Sequence, residues 1–221
     1  MRKFQSMLKR ITLAIGLLLL AKITFAQYDP KAFEILQAVS NKYKDIPVFK
    51  AKIIYSLINE SEGINDNFQG EIVIKGEKFR LLMEEQEIVN NGEFVWTYIP
   101  DVNEVSIDNY DPETNDINPT KILNAYKEGF KYLYLNDVAA GGEIYQVVDL
   151  VPEDPKNSQY FKIRLQVNKK DSMLKSWTMF DKSGNKYNYD VENFSTNLNP
   201  EDNFFVFDVK KHKGIEIIDL R

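Results

Sequence analysis

From Phe49 onward the chain alternates apolar and polar residues in run after run, and this period of two is what most restricts its fold. Phe49, Ala51, Ile53, Tyr55 and Leu57 alternate with Lys50, Lys52, Ile54, Ser56 and Ile58. Successive side chains of a strand point to opposite faces, so each run places an apolar row on one side of a sheet. Phe68, Gly70, Ile72 and Ile74 form the next row, and Phe79, Leu81 and Met83 continue it after the turn Gly76-Glu77. Asn90-Asn91-Gly92 joins Glu87–Val89 to Phe94–Ile99, because Asn and Gly accept the positive φ of a tight hairpin. Further strands are expected at Phe130–Leu135, Ile144–Val151, Tyr160–Val167, Leu174–Phe180, Tyr187–Phe194, Phe204–Val209 and Ile215–Ile218. Short runs joined by tight turns predict one antiparallel meander.

Helical signals are few. Asp29 is placed to cap a helix with Pro30 in its first turn, and Ala32, Ile35, Leu36, Val39 and Tyr43 follow helical spacing until Pro47 ends it. Asn118-Pro119 repeats that start, and Ile122, Leu123 and Tyr126 predict a short amphipathic helix ending near Gly129. Between them, Asp108–Asn118 is rich in Asp, Asn, Pro and Glu and reads as an exposed loop. Nothing in this order marks a second domain.

The first 26 residues have the layout of a secretory signal peptide. Arg2, Lys3, Lys9 and Arg10 precede the apolar run Ile11–Ala21, and Thr24-Phe25-Ala26 offers a small-residue boundary before Gln27. The alternative is an uncleaved anchor. The chain holds no cysteine, so lipid attachment through cysteine, disulfide support, thiol catalysis and cysteine zinc sites are all excluded. The expected product is one soluble exported domain, 27–221. Cleavage removes five basic residues and leaves 23 Lys+Arg against 33 Asp+Glu, which moves the formal charge from −5 to −10. That balance disfavours nucleic acid and anionic membrane surfaces, both of which are bound through Lys and Arg.

Catalytic and metal signals are weak. His212 is the single histidine and sits in the basic stretch Lys210–Lys213, where a solvated role is expected; multi-histidine metal sites are excluded. Ser172 and Lys175 have the spacing of a serine–lysine nucleophile pair, and Lys182-Ser183-Gly184 mimics its companion motif. That chemistry needs a helix to bring serine and lysine together, and this segment reads as a strand. Asp108, Asp111, Glu113 and Asp116 offer oxygen ligands for calcium, but the glycine and terminal glutamate of a helix–loop–helix site are missing. Asn193-Phe194-Ser195 fits the N-glycosylation pattern. No cofactor and no enzyme activity are expected.

The aromatic residues say more. Phe, Tyr and Trp make up 13% of the chain and alternate with polar residues along the strands. They either fill a sheet–helix core or line a cavity, because so long a sheet has more apolar face than two or three short helices can cover.

Gln69-Gly70-Glu71-Ile72-Val73-Ile74-Lys75, followed by Gly92-Glu93-Phe94-Val95-Trp96-Thr97-Tyr98-Ile99-Pro100, resembles the periplasmic lipoprotein carriers of the LolA-like family. The resemblance extends in element order to the late Phe205-Val206-Phe207 and Gly214-Ile215. It implies an α+β fold: an unclosed antiparallel half-barrel with a helical lid over an apolar concave face. It also implies a monomeric carrier that holds the acyl chains of lipoproteins and takes them from an inner-membrane ATP-driven release complex to the outer membrane, with or without an acceptor there. A carrier or sensor of another amphiphile, a glycolipid or phospholipid, is the alternative on the same fold. By position, the acyl-chain cavity falls on Phe79, Leu81, Met83 and Ile88, together with Ile53, Tyr55 and Leu57. Trp96 and Tyr98 share one face and join the expected set. In well-known members an Arg-Pro pair follows the lysine that ends the second strand and its arginine latches the lid; Gly76-Glu77 stands there in this chain.

Overall fold

The computed structural model describes residues 28–111 and 129–221. Its one α-helix among these, α1 (Pro30–Lys44), begins as expected: the Asp29 carboxylate accepts from the backbone N–H groups of Lys31 and Ala32, and Pro30 occupies the first turn. The same carboxylate accepts from the N–H of Tyr134, so the cap also ties the helix to the sheet. Ala32, Ile35, Leu36 and Val39 form its buried stripe at helical spacing.

Twelve strands follow: β1 (Val48–Asn59), β2 (Ile64–Lys75), β3 (Lys78–Met83), β4 (Glu87–Asn90), β5 (Phe94–Ile99), β6 (Glu104–Asn109), β7 (Phe130–Ala140), β8 (Glu143–Pro152), β9 (Tyr160–Asn168), β10 (Leu174–Asp181), β11 (Lys186–Ser195) and β12 (Glu216–Asp219). They make a single sheet in the order β12-β6-β5-β4-β3-β2-β1-β11-β10-β9-β8-β7. All neighbours pair antiparallel except β12, which lies parallel to β6. The sheet does not close; β7 and β12 are its edges, as in a half-barrel. Tyr28 adds one parallel bridge to β7 at Tyr132.

A bulge sets the middle of the sheet. Between β1 and β11, Lys50 pairs with Ser195 but Lys52 with Glu192, so β11 carries one extra residue. Asn193 absorbs it in the left-handed conformation, φ 50°. The result turns Phe194 onto the same face as Val191, where it stacks on Phe49 with ring centroids 5.0 Å apart. The glycosylation-like triplet is therefore a strand bulge whose central Phe packs into the core.

Among the described residues, three apolar clusters hold the sheet. The first joins the stripe of α1 to Val148, Leu150, Ile163, Leu165, Val167 and Leu174 on β8–β10. The second joins Phe49, Ala51, Ile72, Ile74, Phe79, Ile88 and Val95 across β1–β5 on the same face. The third lies on the opposite face, where Phe207 packs on Val89, Trp96, Val105 and Ile107.

Two sequence expectations are corrected. Phe204–Val209 is not a strand: Asp202–Phe205 and Val209–Lys211 are short 3-10 turns, and the segment crosses the back of the sheet instead of pairing with it. Its alternation reflects Phe205 and Phe207 facing inward, which an extended segment on a sheet produces as well as a strand does. Conversely, β6 was not expected, because only Val105 and Ile107 interrupt its polar residues; Asp108 belongs to this strand and not to a loop. The expected helix at Ile122–Tyr126 lies outside the described residues, as do Glu113 and Asp116.

Candidate ligand-binding face

Register decides which side chains share the face covered by α1. Ile53 lies opposite Gly70 on β2 and Val191 on β11, Tyr55 opposite Phe68 and Tyr189, and Leu57 opposite Tyr187. On the next strands Gly70 meets Met83, Ile72 meets Leu81, Leu81 meets Ile88, and Trp177 on β10 lies beside Tyr189. The expected residues Ile53, Tyr55, Leu57, Phe79, Leu81, Met83 and Ile88 are thereby brought to one face.

They are not equivalent. Phe79 and Ile88 are each 1% exposed, sealed among Phe49, Ile74 and Val95. Ile53, Tyr55, Leu57, Leu81 and Met83 are only half-buried. The reason is where α1 lies: its stripe covers β8–β10, and its last turn brings Tyr43 and the following Ile46 against the end of the face near Phe49 and Phe194. The opposite end, toward the β1–β2 and β10–β11 hairpin tips, has no helix among the described residues. Gly70 keeps this end low. A Cβ there would lie 2.9 Å from both the Leu82 carbonyl oxygen and Met83 Cγ, so only glycine lets Met83 lie across β2.

This end is largely aromatic. Trp177 and Tyr189 stack with centroids 4.7 Å apart and planes 7° from parallel. Tyr189 meets Tyr55 at 5.0 Å, and Tyr55 meets Phe68 at 5.7 Å. Burial pushes the hydroxyl pKa of Tyr55 and Tyr189 up, so both stay protonated. Trp177, Tyr187 and Tyr189 were not among the expected residues. Their alternation is present in the sequence, but only the cross-strand pairing of β11 with β1 shows that they extend the Tyr55 row.

Beyond this end the two hairpin tips are tied together. Asn59 Nδ2 donates to Asn185 Oδ1 at 2.7 Å, and Asn185 Nδ2 donates to Asp181 Oδ2 at 2.8 Å. Such a network fixes the rim beside the half-buried part of the apolar face.

Trp96 and Tyr98 are not brought to this face. They point to the other side of the sheet, into the third cluster. There Tyr98 and Phe207 enclose His212, with ring centroids 4.4 and 4.7 Å from the imidazole. His212 is thus half-buried between rings, and the expected solvated role is corrected.

Arg80 also works on that side. Its guanidinium pairs with Glu87 and donates to the Phe204 carbonyl at 2.9 Å, while Lys75 and Lys78 hold Asp202 at 3.0 and 3.4 Å. These cations fasten the 202–207 segment to the back of the sheet. With Arg80 committed there, it does not replace the missing arginine at Gly76-Glu77. A shallow polar depression lined by Lys50, Lys52, Gln69, Glu71 and Asn193 also lies on the back, and its lysines pair with Glu71 and Glu192.

The serine–lysine pair does not assemble into a relay. Ser172 lies in a turn with φ 60°, and Lys175 Nζ is directed to the Val191 carbonyl at 3.5 Å. Among the described residues no cluster of three His, Cys, Asp or Glu could hold a metal ion, and no helix is long and apolar enough to cross a membrane.

Comparison with known proteins fits this geometry. A conserved protein of uncharacterised function from Thermus thermophilus superposes with a TM-score of 0.58 at 12% identity, covering 86% of this chain and 99% of that one. This likeness establishes the fold. A putative outer membrane lipoprotein-sorting protein domain from Vibrio parahaemolyticus aligns with a TM-score of 0.47 at 13% identity, covering 79% of this chain and 96% of that one. LprF from Mycobacterium bovis aligns with a TM-score of 0.49 at 13% identity, covering 80% of this chain and 99% of that one. No curated protein matches. Residues 58–208, more than half of the chain, match the family described as outer membrane lipoprotein carrier protein LolA. The chain belongs to the LolA family of outer membrane lipoprotein carrier proteins.

Proposed function

We propose that this protein is an exported carrier that shields the acyl chains of lipoproteins on the open apolar face and delivers them to the outer membrane. The observation that supports it is the half-buried row Ile53, Tyr55, Leu57, Leu81 and Met83 on a face that α1 covers elsewhere. A filled core would leave this row sealed like Phe79. Each methylene buried on it contributes about 0.8 kcal/mol, enough to hold an acyl chain without covalent chemistry. Release at a useful level then needs a partner that favours the emptied state, because an equilibrium shifts only by a partner's differential affinity for the two states. An inner-membrane ATP-driven release complex supplies the cargo in this scheme.

The first 26 residues act as a cleaved export signal, and residues 27–221 form one monomeric domain. Phe79 and Ile88 support the face from within, and Trp96 and Tyr98 build the opposite side. Mass spectrometry of the organic extract of protein purified from its native host tests the cargo. Triacylated peptide supports lipoprotein transport. Phospholipid or glycolipid alone replaces it with the carriage of another amphiphile.

A further inference from the structure

The aromatic end of the open face is built differently from a plain hydrocarbon slot. Trp177 and Tyr189 are direct cross-strand neighbours, and their 4.7 Å ring separation matches the spacing of adjacent strands, about 4.8 Å. Planes only 7° apart at that separation mean that the two rings stand up from the sheet side by side. Tyr55 continues the row one strand further, 5.0 Å from Tyr189. The ring faces are spent on one another. What such a row offers a ligand is its upper rim, and at the upper rim of an upright tyrosine stands its hydroxyl.

Neither the Tyr55 nor the Tyr189 hydroxyl makes a hydrogen bond with a described residue, in contrast to Tyr187, whose hydroxyl donates to Asp181 Oδ2 at 3.2 Å. Nor is either oxygen fully enclosed: the one sealed polar side-chain atom without a partner among the described residues is Asn90 Nδ2. Two neutral donors therefore stand on neighbouring rings, with the Tyr160 and Tyr187 hydroxyls near both, beside the apolar Ile53, Leu81 and Met83. A pure hydrocarbon laid across them would strip them of water without replacing the bond, which is unfavourable. A carbonyl oxygen placed over them removes that cost.

We propose that the Tyr55 and Tyr189 hydroxyls recognise the carbonyl oxygen of an acyl ester, so that the face selects acylated glycerol cargo over hydrocarbon or ether-linked chains. The inference rests on the carrier function above and adds the chemical group recognised and the residues that recognise it. It also sets the register of the cargo: the ester sits at the aromatic row and the methylenes run along Ile53, Leu81 and Met83.

The test uses two probes below their micelle concentration, dodecanoyl lysophosphatidylcholine and its dodecyl ether analogue. They share head group and chain length and differ in the carbonyl, so contributions from phosphate or choline cancel. Isothermal titration of the purified protein is expected to show the ester bound about 5–10-fold more tightly, the worth of one or two hydrogen bonds. In the double variant Tyr55→Phe/Tyr189→Phe, which keeps the rings and their stacking, the two affinities are expected to fall within about twofold of each other. Equal binding of both probes by the wild type, or a preference that survives in the double variant, overturns this inference and leaves the carrier function standing. Binding of neither probe overturns both. A thermal melt of the double variant close to that of the wild type confirms that the comparison is between folded proteins.

Discussion

The Tyr43 hydroxyl, near the end of α1, accepts a hydrogen bond from the Leu174 backbone N–H at 3.3 Å and fastens the helix to the start of β10. Burial pushes the hydroxyl pKa up to about 12. Because the folded pKa lies above the unfolded value of about 10, the unfolded chain releases this proton first. The stabilisation is complete below pH 10 and is lost as pH rises from there toward 12. It is worth on the order of 2–3 kcal/mol for a shift of this size. Urea unfolding between pH 9 and 12 should show this loss, and Tyr43→Phe should flatten it. An unchanged slope in the variant assigns the alkaline loss to other groups, with Tyr189 the next candidate.

Position along one apolar row separates folding from binding. Phe79→Glu places a charge in a sealed cluster and should cost about 4 kcal/mol or more, enough to unfold the protein or lower its melting temperature steeply. Met83→Glu, two residues on from Leu81 and half-buried, should cost about 1 kcal/mol and fold normally while losing affinity for amphiphiles. Circular dichroism melts and probe titration check the pair. Similar stability for both variants contradicts the division of the face into sealed and open parts.

Arg80→Ala removes the partner of Glu87, whose side chain is 11% exposed, and cuts the bond to the Phe204 carbonyl. The expected cost is about 2 kcal/mol, below that of a fully buried pair because Arg80 itself keeps some solvent. Amide exchange should rise first at Phe205–Phe207, ahead of the strands beneath. Pairing the change with Glu87→Gln should recover part of the loss. Uniform protection across 202–207 in Arg80→Ala contradicts the fastening role.

Acid should loosen the same segment. Hydrogen bonds from Lys75 and then Lys78 hold the Asp202 carboxyl below its ordinary range. A depressed carboxylate stabilises the fold above the unfolded pKa, near 4, and that contribution is lost as pH falls through the folded value. Protection factors measured at pH 5 and at a pH below the depressed Asp202 value should show residues 202–205 opening at the lower pH, and Asp202→Asn should open them at both. No difference between the two pH values contradicts this anchor.

Much of the sheet is legible in the sequence because one face is buried, and a period of two then writes itself into strands such as Phe49–Leu57. The cap at Asp29 and the hairpin at Asn90-Asn91-Gly92 are local and need no tertiary information. The site is only half legible. Alternation shows that Trp96 and Tyr98 share a face but not which one, and the answer depends on Phe207 arriving from over a hundred residues away. Phe79 and Met83 have the same pattern and opposite fates, because what distinguishes them is the end of the face that α1, Tyr43 and Ile46 cover. The Tyr55–Tyr189–Trp177 row depends on β11 returning to β1, which no local signal encodes. The segment Phe204–Val209 imitates a strand because crossing a sheet imposes the same alternation as joining one.

The central claim is that the half-exposed end of the apolar face carries lipoprotein acyl chains. Its most direct test is the release of a radiolabelled lipoprotein from inner-membrane spheroplasts by the purified protein. The wild type should bring the labelled lipoprotein into the soluble fraction as a complex, and folded Met83→Glu should release it only at background. Release by Met83→Glu equal to the wild type, or no release by the wild type, contradicts the claim.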